Sequence, residues 1–459
     1  MTAGREHDVT EQATEQTEHS VLDQLRAAAG EEDTERVQEL LEEFGAADLA
    51  ELTAFFEPDE KAFILAALPA PEAAEFVRNA SDESLRDVAE VEWTGLRRAI
   101  RALEPDEMAD VLDVLPDEAA QHLLKALTPK DARAATHLLT FDPDTAGGRM
   151  TPEFVVLHED VKAGEAVKIT QRSRDQETIA HLLVTDEDDR LVGHLPLHRL
   201  VFARPHRKLK DLLREETITV TPETDEEEVV RLAQRYDLQI VPVVDGSGRP
   251  VGVITADDIL DAAQDEADED IYALAGTAEV DPVHSTVPRG VLLRLPWLML
   301  SLVDGLFIAF LSSRYESTLQ IASLAFFIPL IPLMGGNVAV QSSTIVVRAL
   351  AVGGIRPQTV ADFARRQGVV VLLLALACGL IAGLMATLFV TGPAYTFMLV
   401  VGGSVGLAIS VAGSLGLALP FAFRALGIDP AVSAGPFVTM LNDAFCIFIY
   451  LTLATLLLY

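Results

Sequence analysis

Val291-Leu-Leu-Arg-Leu-Pro-Trp-Leu-Met-Leu-Ser-Leu-Val-Asp-Gly-Leu-Phe-Ile-Ala-Phe-Leu-Ser-Ser313 is where the chain changes character. Everything before it is acidic and mixed; everything after it is dominated by apolar runs. Further runs follow at about 317–350, 368–391, 395–424 and 432–459. A helix needs about 20 apolar residues to cross a bilayer, so residues 291–459 read as a transmembrane domain of five helices. The second run carries Pro329, Pro332, Gly335 and Gly336. In lipid such breakers persist where freed backbone lines a cavity or packs on protein, so this span is expected to be broken there.

Charge divides the chain at the same point. From Val291 onward there are five acids and seven arginines, which leaves 65 of the 70 acids and 28 of the 35 lysines and arginines in the first 290 residues. Such a surface repels nucleic acid and attracts cations. Its carboxylates read as a hydrated, salt-adapted coat, which seven lysines in all fit, or in specific clusters as metal ligands. Between the spans, Arg348, Arg356, Arg365, Arg366 and Arg424 fall on one side and Arg314 on the other. The positive-inside rule then puts the N-terminal part in the cytoplasm and the C-terminus outside a cytoplasmic membrane. Cys378 and Cys446 both lie in apolar runs, which argues against structural zinc or disulfides. Residues 1–20 read as a disordered lead without the apolar stretch of a signal peptide.

Residues 21–140 read as an acidic α-helical domain. Leu-Glu-Pro-Asp-Glu at 103–107, Leu-Pro-Asp-Glu at 115–118 and Leu-Thr-Pro-Lys-Asp at 127–131 recur about every 12 residues. Each sets Pro and acids at the start of a short helix, where φ and the helix dipole favour them. Residues 141–262 hold two copies of a β-α-β-β-α pattern. The second is clearer: Ile218-Thr-Val-Thr, the helix 225–236, Ile240-Val-Pro-Val-Val, Val251-Gly-Val-Ile-Thr and the helix 256–263. That is the pattern of a tandem cystathionine-β-synthase (CBS) domain pair. Residues 263–290 read as an acidic connecting helix and a short link. The fold class expected is multidomain: an all-α superhelical N-domain, an α+β tandem CBS pair and a five-span α-helical membrane domain.

Asp443 is the most informative residue. A carboxylate at membrane depth costs about 2.5–3.5 kcal/mol, so it faces water, a partner charge or an ion, and no base shares its span. In the second run, Gly335-Gly is expected to expose carbonyls, while Asn337, Gln341 and Ser342 offer neutral oxygens. Such a set suits Mg²⁺, which keeps its waters and favours oxygen. The absence of Cys and His near Asp443 argues against a softer metal. Asp429-Pro430 stands at the cytoplasmic start of span five, as an N-cap or at the pore mouth. Asp304, inside span one, has no evident polar neighbours and is left unassigned. No Ser/His/Asp, HExxH, Walker or Rossmann pattern is present, so an enzyme is not expected.

These modules in this order resemble the MgtE family of magnesium channels. The resemblance rests on Asp142-Pro-Asp-Thr-Ala-Gly-Gly-Arg-Met-Thr, Arg294-Leu-Pro-Trp, Pro332-Leu-Met-Gly-Gly-Asn with Gln341-Ser, and Asp429-Pro-Ala with Gly435-Pro and Asn442-Asp443. It implies a homodimer with its pore between two membrane domains. Asp443 is then the pore carboxylate, with the Thr439 carbonyl one turn earlier. It also implies that cytoplasmic Mg²⁺ closes the pore by binding Asp258, Asp261, Glu266, Glu269 and Asp270 on the CBS and connecting ("plug") helices. Asp429 is the membrane-side partner, and Asp106 and Asp110 stand in the N-domain. Thr255 and Asp258 also match the ribose-holding positions of CBS domains, which implies ATP or another adenine nucleotide at the second repeat. In the first repeat, Pro196 and Arg199 occupy those places. Two rival readings are a transporter of Co²⁺, Mn²⁺ or Zn²⁺, and a membrane-anchored Mg²⁺ or nucleotide sensor that does not conduct.

Overall fold

In the computed structural model, residues 21–53, 56–172, 181–213, 217–277, 287–351, 359–389, 393–433 and 435–458 are described. The lead 1–20 and most of the link after 277 lie outside them. The chain divides into two units, Met1–Ala263 and Gln264–Tyr459.

The first unit opens with short helices: α1 (residues 21–30), α2 (Thr34–Leu52), α3 (Pro58–Ala67), α4 (Ala70–Asn79), α5 (Asp82–Val91), α6 (Thr94–Ala99), α7 (Pro105–Val114), α8 (Asp117–Leu124) and α9 (Pro129–Leu138). The proline repeat is how they begin. In α3 and α7, Pro58 and Pro105 fill first-turn positions that need no N–H, and Glu57 and Glu104 close capping boxes with Glu60 and Glu107. Thr128 caps α9 by accepting from the Asp131 N–H. The apolar faces share one core, including Leu40, Ile64, Leu65, Phe76 and Ile100.

The CBS pair follows. Its first repeat is a three-stranded sheet ordered β1 (Val155–His158), β2 (His181–Thr185), β3 (Leu191–Pro196), parallel then antiparallel, with helices at Ala163–Thr170 and Leu197–Val201. The second pairs β4 (Val241–Val244) antiparallel with β5 (Pro250–Ile254), beside the helix Glu226–Tyr236. The strand expected at Ile218-Thr-Val-Thr reduces to one parallel bridge, Val220 to Val243. Thr151 and Val253 exchange backbone hydrogen bonds of 2.9 and 3.0 Å, tying the lead-in of repeat one to the last strand of repeat two. Ala109 and Leu138 of the helical domain share a core with Met150, Val241 and Ile254 of the second repeat. The acidic helix Ala256–Ala275 is continuous where a CBS helix ending at 263 and a separate connecting helix were expected. Neither Gly nor Pro interrupts its 20 residues.

The second unit contains five helices long and apolar enough to cross a membrane: Gly290–Ser313, Ser323–Ala351, Val360–Phe389, Ala394–Ala425 and Pro436–Leu458. Glycines set how closely they pack. A Cβ on Gly402 would fall 2.6 Å from the Gly379 carbonyl oxygen, and one on Gly416 would fall 2.2 Å from that of Ala339. Small residues allow this approach, and van der Waals contact then holds the helices.

Two expectations for this unit are corrected. The second span is not broken at its glycines. Its helix runs unbroken from Leu330 to Ala351, and the irregular turn lies earlier, at 326–329. Pro332 sits in the first turn, where a missing N–H costs nothing, and Gly335 serves close packing on Asn442. Pro430 likewise does not start the last helix, which begins at Pro436 after a short turn of helix at Ala431–Ser433. A Cβ at Gly435 would stand 2.9 Å from the Ala273 carbonyl oxygen, so the acidic helix's last turn abuts the entry to this span.

Candidate cation sites

In the membrane unit, the helices Leu330–Ala351 and Pro436–Leu458 cross where Gly335 meets Asn442. Asn442 is fully buried and holds Asp443 in place: its Nδ2 donates to Asp443 Oδ1 at 2.9 Å and to the Pro332 carbonyl at 3.2 Å. Its Oδ1 accepts from the Cys446 thiol at 3.1 Å. Asp443 itself is half-buried. Cys446 stands one turn from Asp443, contrary to the expected absence of Cys there. The residue is 1 % exposed and its thiol is engaged by Asn442. Thr439, a turn before Asp443, is half-buried, with its hydroxyl directed to the Gly435 carbonyl at 3.3 Å.

Asn337 and Gln341 are exposed and, with Thr344 and Arg348, form a polar stripe at helical spacing on the second span. Ser342 is buried on the opposite face and does not join it. A polar stripe on a membrane helix must meet water or another chain, because lipid offers it no hydrogen bonds.

At one end of this unit, Asp270 of the acidic helix lies within electrostatic reach of Asp429 and Arg348. Burial raises the Asp270 carboxyl above its ordinary range, Asp429 adds to the rise, and Arg348 opposes it. Ala273 and Leu274 pack on Val347 and Ala431. Asp429 accepts from the Ala431 N–H at 2.8 Å, so it caps the short turn as well as facing Asp270. On the same acidic helix, Glu266 is half-buried, and Asp261 and Glu269 are exposed.

In the first unit, a cavity of about 580 Å³ opens between α7 and the second CBS repeat. Glu104, Asp106, Glu107, Glu153, Asp257 and Asp258 line it, against Arg78 as its one Lys or Arg among the described residues. Asp106 is 8 % exposed and its Oδ1 has no hydrogen-bond partner. Burial, then the Asp258 charge, push its carboxyl up to about 8. Asp110 is raised to about 6 by desolvation, against the pull of Arg149 and with Asp258 adding to the rise. Asp258 is raised by burial, while Thr255 holds it through N–H and hydroxyl donors. Three carboxyls raised in one place mark a site short of positive charge. Among the described residues, no three His, Cys, Asp or Glu are close enough to enclose an ion by themselves. A cation held at any of these places would have one or two carboxylates and would need water to complete its shell, as Mg²⁺ favours. Arg199 faces a separate basic cavity with His198, Arg204, His206 and Arg207, so the first repeat lacks an acid at that place.

Known proteins resemble this chain over nearly its whole length. The magnesium transporter MgtE of Thermus thermophilus is 34 % identical over 447 residues, covering 95 % of this chain and 98 % of that protein. The chain belongs to the MgtE family. The MgtE transporter of Bacillus subtilis is 28 % identical over 414 residues, 87 % of this chain and 91 % of its own. The family's divalent cation transporter profile matches residues 328–453, its intracellular N domain matches 44–144, and CBS domains match 146–206 and 209–265. Among solved structures, the cytosolic domain of the Mg²⁺ channel MgtE in complex with ATP is 33 % identical over 52 % of this chain and 99 % of that one, with a TM-score of 0.49. An inosine-5'-monophosphate dehydrogenase of Methanocaldococcus jannaschii is 30 % identical over 110 residues, a match confined to CBS domains. This MgtE chain is thus a membrane transport protein by family, with helical, CBS and membrane-spanning parts as expected.

Two residues of this MgtE chain were given no role by sequence reasoning. Asn442 positions Asp443, and its place beside an intramembrane Asp was the available signal. Thr151 lines the cleft beside Asp106 and opposes the rise of its carboxyl, and nothing in its local sequence signals that.

Proposed function

We propose that this chain forms a Mg²⁺-gated magnesium channel. It mediates uptake across the cytoplasmic membrane as a homodimer, with the N-terminal domains inside and the C-terminus outside. The observation that carries this reading is Asp443, held by Asn442 on a helix packed against the one bearing the exposed Asn337–Gln341 stripe. In a second copy's company the stripe would line a wet path, with Asp443 and the Thr439 carbonyl meeting the waters of a hydrated ion. The magnesium assignment draws on the names of the two full-length relatives.

Gating follows from two acid pairs. Asp106 faces Asp258 between the helical domain and the CBS pair, and Asp270 faces Asp429 at the membrane unit's end. Asp110 and Asp261 flank the first pair, and Glu266 and Glu269 lie toward the second. Like charges destabilise these closed contacts until a divalent ion bridges them, so cytoplasmic Mg²⁺ shifts the population toward closure. The functional domains are 21–140, 141–262, a plug at 263–290 and 291–459.

Thr255 and Asp258 also present a ribose-binding pair, with Phe154, Ile240 and Val253 offering apolar cover for a base. The acid lining would admit ATP phosphates only with cations, so nucleotide and Mg²⁺ binding are coupled there. Transport of a softer metal is disfavoured, because no His lies near Asp443 in sequence and Cys446 is committed to Asn442.

The test is Mg²⁺ flux into liposomes holding the purified protein, at low and high internal Mg²⁺. Flux should appear at low and fall at high internal Mg²⁺, and Asp443→Asn should abolish it. Normal flux through inserted Asp443→Asn would overturn the pore assignment.

A further inference from the structure

We propose that Asp304 is a second carboxylate of the cation pathway, near Asp443, and that it sets the preference for divalent over monovalent cations. This rests on the pore reading of Asp443.

The first membrane helix, Val287–Ser313, is covered along a single stripe. Leu293, Trp297, Leu300, Asp304, Ile308 and Leu311 are its less exposed positions, three or four apart, while Leu302, Val303, Leu306 and Phe307 between them are bare. Asp304 therefore lies on the face that packs on the rest of the unit, and it is the one charged residue of that stripe. The nearest bases on the same run, Arg294 and Arg314, are each ten residues away, about 15 Å along a helix. A carboxylate in that position needs either water or a cation.

What it meets is set by packing on the last membrane helix. The Tyr315 hydroxyl bonds the Thr452 hydroxyl at 2.9 Å, and Thr318 bonds Thr455 at 2.8 Å. Both contacts join residues 137 apart, so the two segments run in the same direction. The first membrane helix, which ends at Ser313 ahead of the turn at Arg314 and Tyr315, itself packs on the helix Pro436–Leu458. The Asp304 carboxylate accordingly lies within electrostatic reach of Asp443. Asp443 is anchored by Asn442, whereas Asp304 has no such anchor on its own run, so the two differ in role. Asp443 contacts the shell of the ion, and Asp304 adds field.

A field acts on an ion in proportion to its charge. A local potential that enriches a monovalent cation about threefold enriches a divalent one by the square, about tenfold. Removing the Asp304 charge therefore costs a divalent ion more than a monovalent one, and this changes selectivity rather than flux alone.

The experiment uses the full chain in liposomes or planar bilayers at low internal Mg²⁺. It measures the external Mg²⁺ giving half-maximal flux and the reversal potential between Mg²⁺ and Na⁺. Asp304→Asn should raise the half-maximal concentration about tenfold and shift the reversal potential toward Na⁺, and Asp304→Glu should restore both. Wild-type values in Asp304→Asn, beside an inactive Asp443→Asn, would overturn this inference alone; an active Asp443→Asn would overturn the pore reading beneath it. If Asp304→Asn does not insert, Asp304→Cys replaces it in a background with Cys378 changed to Ala, Cys446 being buried. A charged, water-borne thiol reagent should then block flux, while Leu306→Cys, on the bare face, should be insensitive. Equal insensitivity at both positions would overturn the inference.

Discussion

Asp106→Asn tests the cleft between the helical domain and the CBS pair. Asp106 is 8 % exposed, its Oδ1 is unpartnered, and its carboxyl is pushed from 3.8 to about 8 by burial and Asp258. The folded state therefore holds a proton that the unfolded chain releases at pH 3.8 and above. Between those two values the folded state binds more protons, so metal-free stability falls as pH rises. At pH 7 the gap of about three units corresponds to about 4 kcal/mol, as a ceiling, at roughly 1.4 kcal/mol per unit. Asparagine keeps the shape and removes the charge. Metal-free Asp106→Asn should be more stable than wild type at pH 7 to 8.5 by up to that amount, and flatter with pH. It should also gain less from Mg²⁺, which otherwise screens Asp106 against Asp258. The assay is thermal melting of the full chain in detergent, with and without 10 mM-scale Mg²⁺ at constant high ionic strength. The soluble unit's transition is followed from about pH 6 to 8.5. A variant less stable than wild type without metal, yet stabilised by Mg²⁺ to the same degree, would refute the reasoning.

Other outcomes follow from the same structure. Asp270→Asn removes one of the two carboxylates facing across the membrane-side contact, so the internal Mg²⁺ that half-closes the channel should rise about tenfold, as for a loss of about 1.4 kcal/mol. Unchanged inhibition in the liposome assay would separate Asp270 from gating. Gly416→Val puts a side chain where a Cβ alone would come 2.2 Å from the Ala339 carbonyl oxygen. It should cost a few kcal/mol and sharply lower the yield of folded protein, whereas Gly403→Ala, in open space, should be tolerated. Equal recovery of both variants by size-exclusion chromatography would contradict the close crossing.

Much of the architecture was legible before any coordinates, because its signals are local. Twenty-residue apolar runs, the proline-acid repeat and the doubled CBS pattern depend on neighbours within a few residues, and hydropathy or a cap needs nothing more. Where the reading failed, the cause was distant in sequence. Gly335 and Gly336 have the composition of a break. What decides otherwise is Asn442, over a hundred positions away, which takes up the space a Cβ on Gly335 would need. Ser342 and Asn337 look alike as oxygen donors, and only the packing of the second span shows that one is buried and the other exposed.

By itself the sequence determined the class of the protein: an acidic, cation-seeking soluble half and a five-span membrane half with a carboxylate at depth. Charge balance and apolar run length are sums over residues, and sums survive without coordinates. Only the tertiary structure decided which acids face one another. Asp106 and Asp258 are 152 positions apart, and Asp304 and Asp443 are 139 apart. Among 70 acids no spacing rule selects such pairs. They are chosen by how helices pack, and the cost of bringing like charges together would give a divalent cation its purchase on the fold.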